Sequence, residues 1–343
     1  MSISFRHLVR VVAAAAVVLG AACGSKTSPP PTGLTSPTTN PPQIACPSDV
    51  TVTGVSNPPQ AVTYAAPAVH DGAPPVATMC SPSPGAAFGL GTTMVSCSAN
   101  DAMSRQATCS FSVTLKGMTI AVGKYDAFGD SLTEGETGRP SVFADLLDTP
   151  NAYPTRLQAA LDLAYPGQAT VLNQGLSGDP VEETLKKIKA RLPGDKPGAV
   201  LLLSGYNNLT RACGPGAAGT KACGDGIEQV AFGIRDCIRS AKEANAGVKY
   251  TFVSTLTPPG PSGSNRIDPN AIVQANARLR PMVAAEGGIL VDSYAAFAGH
   301  EAEYVNVDGL HLRPAGYQAL ADAFFAAIQK TVPQTPMAFT SPQ

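Results

Sequence analysis

From residue 118 to 331 the apolar residues keep changing their period. Short apolar runs at 120–128, 170–173, 199–204, 249–256 and 288–292 alternate with helical periods at 153–164, 180–192, 226–244, 269–286 and 314–331. Asp179-Pro180 followed by Glu182 and Glu183, and again Asp268-Pro269, supply the N-cap and first-turn chemistry of helix starts. Strands separated by helices join as parallel neighbours through right-handed crossovers, so this half of the chain is predicted to be an α/β sheet covered by helices on both faces. A ligand site then lies beyond the carboxyl ends of the strands, and the residues that follow each strand are the ones to inspect.

The chain before residue 118 has a different texture. Arg6 and Arg10 precede an apolar stretch at 11–19 that is too short to cross about 30 Å of hydrocarbon. That is the pattern of a secretory signal. Its end, Leu19-Gly20-Ala21-Ala22-Cys23, resembles the lipobox of bacterial lipoproteins, which implies cleavage after residue 22, a lipid on Cys23 as the membrane attachment, and a cell-envelope or secreted location. Residues 23–43 are rich in Pro, Thr and Ser, with Leu34 the only large apolar side chain, and read as a linker with too little surface to bury.

From 107 to 115 the alternation is strict, with Ala107, Cys109, Phe111, Val113 and Leu115 on one face and Ser or Thr on the other. Residues 93–99 repeat it, 100–105 supply the turn between, and short runs at 50–52 and 61–64 extend the pattern into a small β-sandwich over 44–117. Here the residues resemble a hyalin-repeat (HYR) domain, an immunoglobulin-like module. The match is carried by Cys46-Pro47-Ser48-Asp49-Val50-Thr51-Val52, by 62–72, and by Gly91-Thr92-Thr93-Met94-Val95-Ser96-Cys97 through Cys109-Ser110-Phe111. Four Cys allow three pairings, of which the resemblance implies Cys46 with Cys109 and Cys80 with Cys97. Without Trp, and with Tyr64, Phe88 and Phe111 its aromatics, the module lacks a stacking platform for carbohydrate and reads as a spacer rather than an adhesive surface.

The strand ends of the second half carry the chemistry. Phe128-Gly129-Asp130-Ser131 follows the first, Asn173-Gln174-Gly175 the second and Ser204-Gly205-Tyr206-Asn207-Asn208 the third, while Asp308-Gly309-Leu310-His311 stands near the C-terminus. A serine hydroxyl becomes a nucleophile when a base takes its proton and a third group holds the base. Of the four His, His7 lies in the signal and His70 in the β module. His300 has no carboxylate three residues before it and reads as a solvated loop residue. His311 follows Asp308 by one turn, which lets the carboxylate reach Nδ1 while Nε2 faces Ser131. In this order the four blocks resemble the SGNH (GDSL) hydrolase family; the GxSxG elbow of α/β-hydrolases does not occur. The resemblance implies a flavodoxin-like three-layer sheet over 118–333 and a tail at 334–343. It also implies catalytic Ser131, Asp308 and His311, with an oxyanion hole from the N–H groups of Ser131 and Gly175 and the amide of Asn207. Asn208 departs from the family's usual Asp.

Competing chemistry is weak. A net charge of -1 gives no basic field for nucleic acid. Gly214 to Lys221 has its Thr on the wrong side of the Lys for a phosphate loop, and no HExxH or CxxC pair suggests a metal, so no cofactor is expected. Cys213 and Cys223 bracket this glycine-rich loop and could bridge; Cys237 could be an inert thiol or take either as partner. The expectation is a serine esterase or lipase acting on a small ester or an acylated glycan, with the loops 135–152 and 258–267 forming the acyl pocket. The alternatives are an acetylesterase acting on polysaccharide, and a surface adhesion protein with a degenerate hydrolase domain.

Overall fold

The computed structural model describes residues 40–56, 58–138, 147–244, 247–261 and 266–337. The signal segment, Cys23, most of the linker, and residues 139–146 and 262–265 of the two pocket loops lie outside the described residues.

The N-terminal region is made of strands. These are β1 (Gln43–Ala45), β2 (Val50–Val55), β3 (Gln60–Ala61), β4 (Ala68–His70), β5 (Ala77–Ser81), β6 (Ala87–Phe88), β7 (Gly91–Asn100) and β8 (Gln106–Ile120). β5, β7 and β8 form an antiparallel sheet, β2 joins β8 in parallel, and β1–β4 and β3–β6 are two-stranded ladders. The strict alternation has its predicted result: Val95, Cys97, Phe111, Val113 and Leu115 turn inward to meet Val55, Val62 and Phe88. The pairings Cys46–Cys109 and Cys80–Cys97 are both present. Asp101 organises the turn between β7 and β8. Its side chain accepts from the N–H groups of Ala73, Met103 and Arg105 and pairs with the Arg105 guanidinium at 2.7 Å.

The second region begins with β9 (Lys124–Gly129) and α1 (Ser131–Glu134), followed by α2 (Tyr153–Ala164), β10 (Thr170–Asn173), α3 (Val181–Asp195) and β11 (Ala199–Leu203). Then come α4 (Tyr206–Ala212), α5 (Lys221–Glu243), β12 (Tyr250–Ser254), α6 (Pro269–Ala285), β13 (Ile289–Val291), α7 (Ser293–Phe297), α8 (Glu301–Tyr304), α9 (Pro314–Thr331) and β14 (Gln334–Pro336). The parallel sheet has the order β10-β9-β11-β12-β13, that is 2-1-3-4-5 in chain order, the flavodoxin-like arrangement expected. Helices α2 and α9 pack together on one face; α3, α5 and α6 form the other layer. Every residue of β11 is buried, as a central parallel strand between two helical layers requires.

Four boundaries differ from the sequence reading. The ordered chain starts before residue 44: β1 opens at Gln43, and the Asn40 carbonyl accepts from Gly72 and from Arg105. Residues 118–120 continue β8 instead of opening the first hydrolase strand. Residues 334–336, read as tail, return as β14 and pair with them, Thr335 opposite Thr119. α5 starts at Lys221 rather than 226, because the Thr220 hydroxyl caps it by accepting from the Cys223 N–H at 3.2 Å.

Candidate active site

β9 ends at Gly129, where no side chain fits: a Cβ would stand 2.0 Å from the Leu203 carbonyl oxygen and 2.1 Å from Thr133 Oγ1. The chain then enters α1, with Asp130 as N-cap accepting from the Leu132 N–H at 3.2 Å and Ser131 as the first helical residue. Burial pushes the Asp130 carboxyl up to about 7, against the opposing pull of that N–H and of positive charge on His311. One turn later Gly135 ends α1 at φ 109°. Ser131 thus sits beyond the carboxyl end of β9, beside the point where the sheet order reverses.

The loop after α8 brings the other two residues to it. An antiparallel bridge between Val305 and Leu312 pinches residues 306–311 into a turn, closed by the Asn306 N–H donating to the His311 carbonyl at 2.7 Å. Within it, Asp308 Oδ1 accepts from the backbone N–H groups of Leu310 and His311 at 3.1 and 3.0 Å. Its Oδ2 lies 2.5 Å from His311 Nδ1, and His311 Nε2 lies 3.0 Å from Ser131 Oγ. Burial favours the neutral acid at Asp308, but the His311 ring and these N–H groups outweigh it and hold the carboxyl below the usual range. His311 is 2% exposed, whereas the His300 side chain is 54% exposed and rests on Glu303 and Tyr304. The structure thus brings His311, the histidine singled out by its spacing from Asp308, between Asp308 and Ser131.

The expected oxyanion donors are brought to the same end of the sheet, with their hydrogens partly engaged. Gly175 follows β10 and packs so tightly on α1 that a Cβ would lie 2.4 Å from the Glu134 nitrogen. Its N–H is bonded to Asn173 Oδ1 at 2.9 Å rather than left open. Asn207, in the first turn of α4, gives one amide hydrogen to the Asp179 carbonyl at 3.1 Å, which leaves its second hydrogen for a ligand. Asn208 accepts from the Val181 N–H through Oδ1 and donates through Nδ2 to both Glu182 carboxylate oxygens. An Asp here would set two carboxylates against each other, which accounts for the departure.

Several residues that shape the site were given no role by the motif reading. Asn173 donates to the carbonyls of Thr133 and Glu134, and Glu134 Oε2 accepts from the Ser177 N–H, so the second block is stapled to the nucleophile's helix. Gly138, at φ 60°, lies against the Asp–His pair: a Cβ would be 2.3 Å from Asp308 Oδ2 and 2.6 Å from His311 Nδ1. Glu136 places Oε2 3.6 Å from His311 Nε2. Its acidic side chain in the loop just beyond the serine is the one signal that could have flagged it. The bridge Cys213–Cys223 closes the loop behind α4, and Asp268 fastens that loop by accepting from Gly216 and Ala218; Cys237 stays free and buried.

Residues 127–319 match the model of the GDSL-like Lipase/Acylhydrolase family, and residues 37–115 match the HYR domain. Among solved structures, the chain is similar to a lipase/acylhydrolase from Enterococcus faecalis, at 18% identity and a TM-score of 0.49 over 62% of this chain and 97% of that one. An alpha/beta hydrolase enzyme from the metagenome of Lake Arreo, Spain, is 24% identical, with a TM-score of 0.47 over 62% and 96%. An acetylxylan esterase from Geobacillus stearothermophilus is 23% identical, with a TM-score of 0.44 over 60% and 94%. No curated protein sequence matches the chain. With its family model covering more than half of the sequence, the chain belongs to the GDSL-like lipase/acylhydrolase family and is an ester hydrolase that carries an HYR domain ahead of its hydrolase domain.

Proposed function

We infer that the protein is a serine esterase that works through an acyl-enzyme on Ser131. The observation that carries this reading is the unbroken line from Ser131 Oγ through the imidazole of His311 to the Asp308 carboxylate, at 3.0 and 2.5 Å. With Nδ1–H directed at Asp308, Nε2 accepts the Ser131 proton as Oγ attacks the ester carbonyl. The oxyanion of the tetrahedral intermediate takes hydrogen bonds from the Ser131 N–H, the free amide hydrogen of Asn207, and the Gly175 N–H as Asn173 yields it. Nε2–H then protonates the departing alcohol. Water, activated by the same nitrogen, attacks the acyl group and releases the carboxylic acid and Ser131. The chain is further proposed to be a cell-envelope lipoprotein anchored through Cys23, in which case Cys23→Ala leaves the protein in the soluble fraction of the cell.

Ser131→Ala tests the mechanism. Turnover of p-nitrophenyl acetate and butyrate is expected to fall by at least about 10⁴-fold while the melting curve stays that of the wild type. Full activity in a folded variant would refute it.

A further inference from the structure

The Glu136 side chain is 18% exposed, and its one described contact is with His311 Nε2, the atom that also faces Ser131 Oγ. Its backbone is fixed at three points. The N–H donates to the Ser131 carbonyl at 2.9 Å, the carbonyl accepts from the Tyr317 hydroxyl, and the residue bridges to Leu147. The carboxylate is therefore held at the site by its main chain. At 3.6 Å from Nε2, Oε2 lies beyond hydrogen-bond distance of the ring. Among the described residues the carboxylate oxygens have no hydrogen-bond partner, and with the side chain partly open to solvent that accepting capacity is available to a donor carried by a ligand.

The position of that capacity says what would use it. To be protonated as it leaves, the ester's alcohol oxygen must come within about 2.6 to 3.2 Å of Nε2. A group on the next carbon of the alcohol then falls beside Glu136. A hydroxyl there can donate to the carboxylate; an alkyl group strips water from it and gives nothing back, and an anionic group is repelled. We propose that Glu136 selects the alcohol part of the substrate, favouring esters whose alcohol bears a free hydroxyl on the carbon next to the esterified one, as in partly acylated sugars or glycerol. This rests on the serine-esterase reading and narrows its substrate class.

The test uses a matched pair of acetates, 2-hydroxyethyl acetate and propyl acetate, which share an acyl group and a shape and differ by one hydroxyl. In Glu136→Ala the ratio of kcat/KM for the hydroxylated over the plain ester is expected to fall at least about tenfold from the wild-type ratio. Glu136→Gln retains an acceptor without the charge and should fall between; it also serves if the Ala variant melts early. Glycerol monoacetate and a monoacetylated methyl pyranoside, assayed beside the pair, show whether the open-chain or the ring diol is the better donor. An unchanged ratio in both variants would overturn the proposal, whatever happens to absolute rates, because a residue that merely positions His311 slows both esters alike. Turnover of propyl acetate that survives in Ser131→Ala would instead overturn the esterase mechanism itself.

Discussion

The two folded regions solve the problem of stability in different ways. The β module buries a small cluster, Val55, Val62, Phe88, Val95, Cys97, Phe111, Val113 and Leu115, and adds two disulfides to it. The hydrolase region buries whole strands, Ala199–Leu203 among them, between two layers of helices, and its bridge Cys213–Cys223 only closes a loop. A small sheet has too much surface for its volume to rest on apolar burial alone, so covalent bracing makes up the difference. The larger core can also leave its strand ends to backbone packed too closely for any side chain, as at Gly129, Gly138 and Gly175. Chemistry is therefore concentrated in the region whose stability does not depend on those loops.

That contrast can be broken at several points. The largest effect is expected at Asp308→Asn, which keeps the shape of the turn but permits the wrong imidazole tautomer. kcat should fall by about 10³ to 10⁴-fold with an unchanged melting temperature, and steady-state kinetics beside calorimetry would detect a loss of stability instead. Next, Cys46→Ala with Cys109→Ala should lower the stability of the β module by about 2 to 4 kcal/mol, read as a melting transition that shifts while that of the hydrolase region stays in place. One transition shifting as a whole would mean that the clasp of β14 on β8 fuses the two regions into a single cooperative unit.

A smaller effect is expected at Gly138→Ala. The added methyl pushes on Asp308 Oδ2 and His311 Nδ1, and kcat should drop by about 10 to 100-fold, with a loss of about 1 to 2 kcal/mol of stability from the left-handed backbone. The smallest concerns acid. At Asp101 burial favours the neutral form, yet hydrogen bonds from the Arg105 side chain and from the Arg105, Ala73 and Met103 N–H groups prevail and hold the carboxyl at about 2. Its contribution is complete above the ordinary aspartate range, near about pH 4, and is lost as pH falls toward 2. Asp130 has the opposite sign: burial holds it at about 7, so its protonated form suits the fold and acid costs it nothing. Protection factors of the amides in the 101–105 turn should thus fall between about pH 4 and 2.5 before those of α1, and Asp101→Asn should remove this dependence.

The sequence was informative where structure is local and periodic. The strands at 170–173 and 199–203 and the helices at 153–164, 269–285 and 314–331 appear within a residue or so of their apolar patterns. The three strand-end blocks meet because the parallel topology puts them at one edge of the sheet, and the block at 308–311 is brought to them by the loop after α8. What stayed hidden depends on partners far along the chain. Nothing local in Gln334-Thr335-Pro336 announces a strand, since its pairing with 118–120 exists only once α9 has returned. The start of α5 was masked by Gly224 and Gly226, which weaken the helical signal although Thr220 caps the helix. Gly138 and Glu136 read as ordinary loop residues until the turn at 306–311 folds over them, partly through Asn306 donating to the Thr137 carbonyl.

The central claim is that Ser131 is the nucleophile activated by His311, and covalent capture tests it most directly. The intact protein is treated with a fluorophosphonate and digested, and the modified peptide is sequenced by mass spectrometry. One adduct is expected, on Ser131, forming at a rate reduced by several orders of magnitude in His311→Ala. An adduct on another residue, or none on the folded protein, would contradict it.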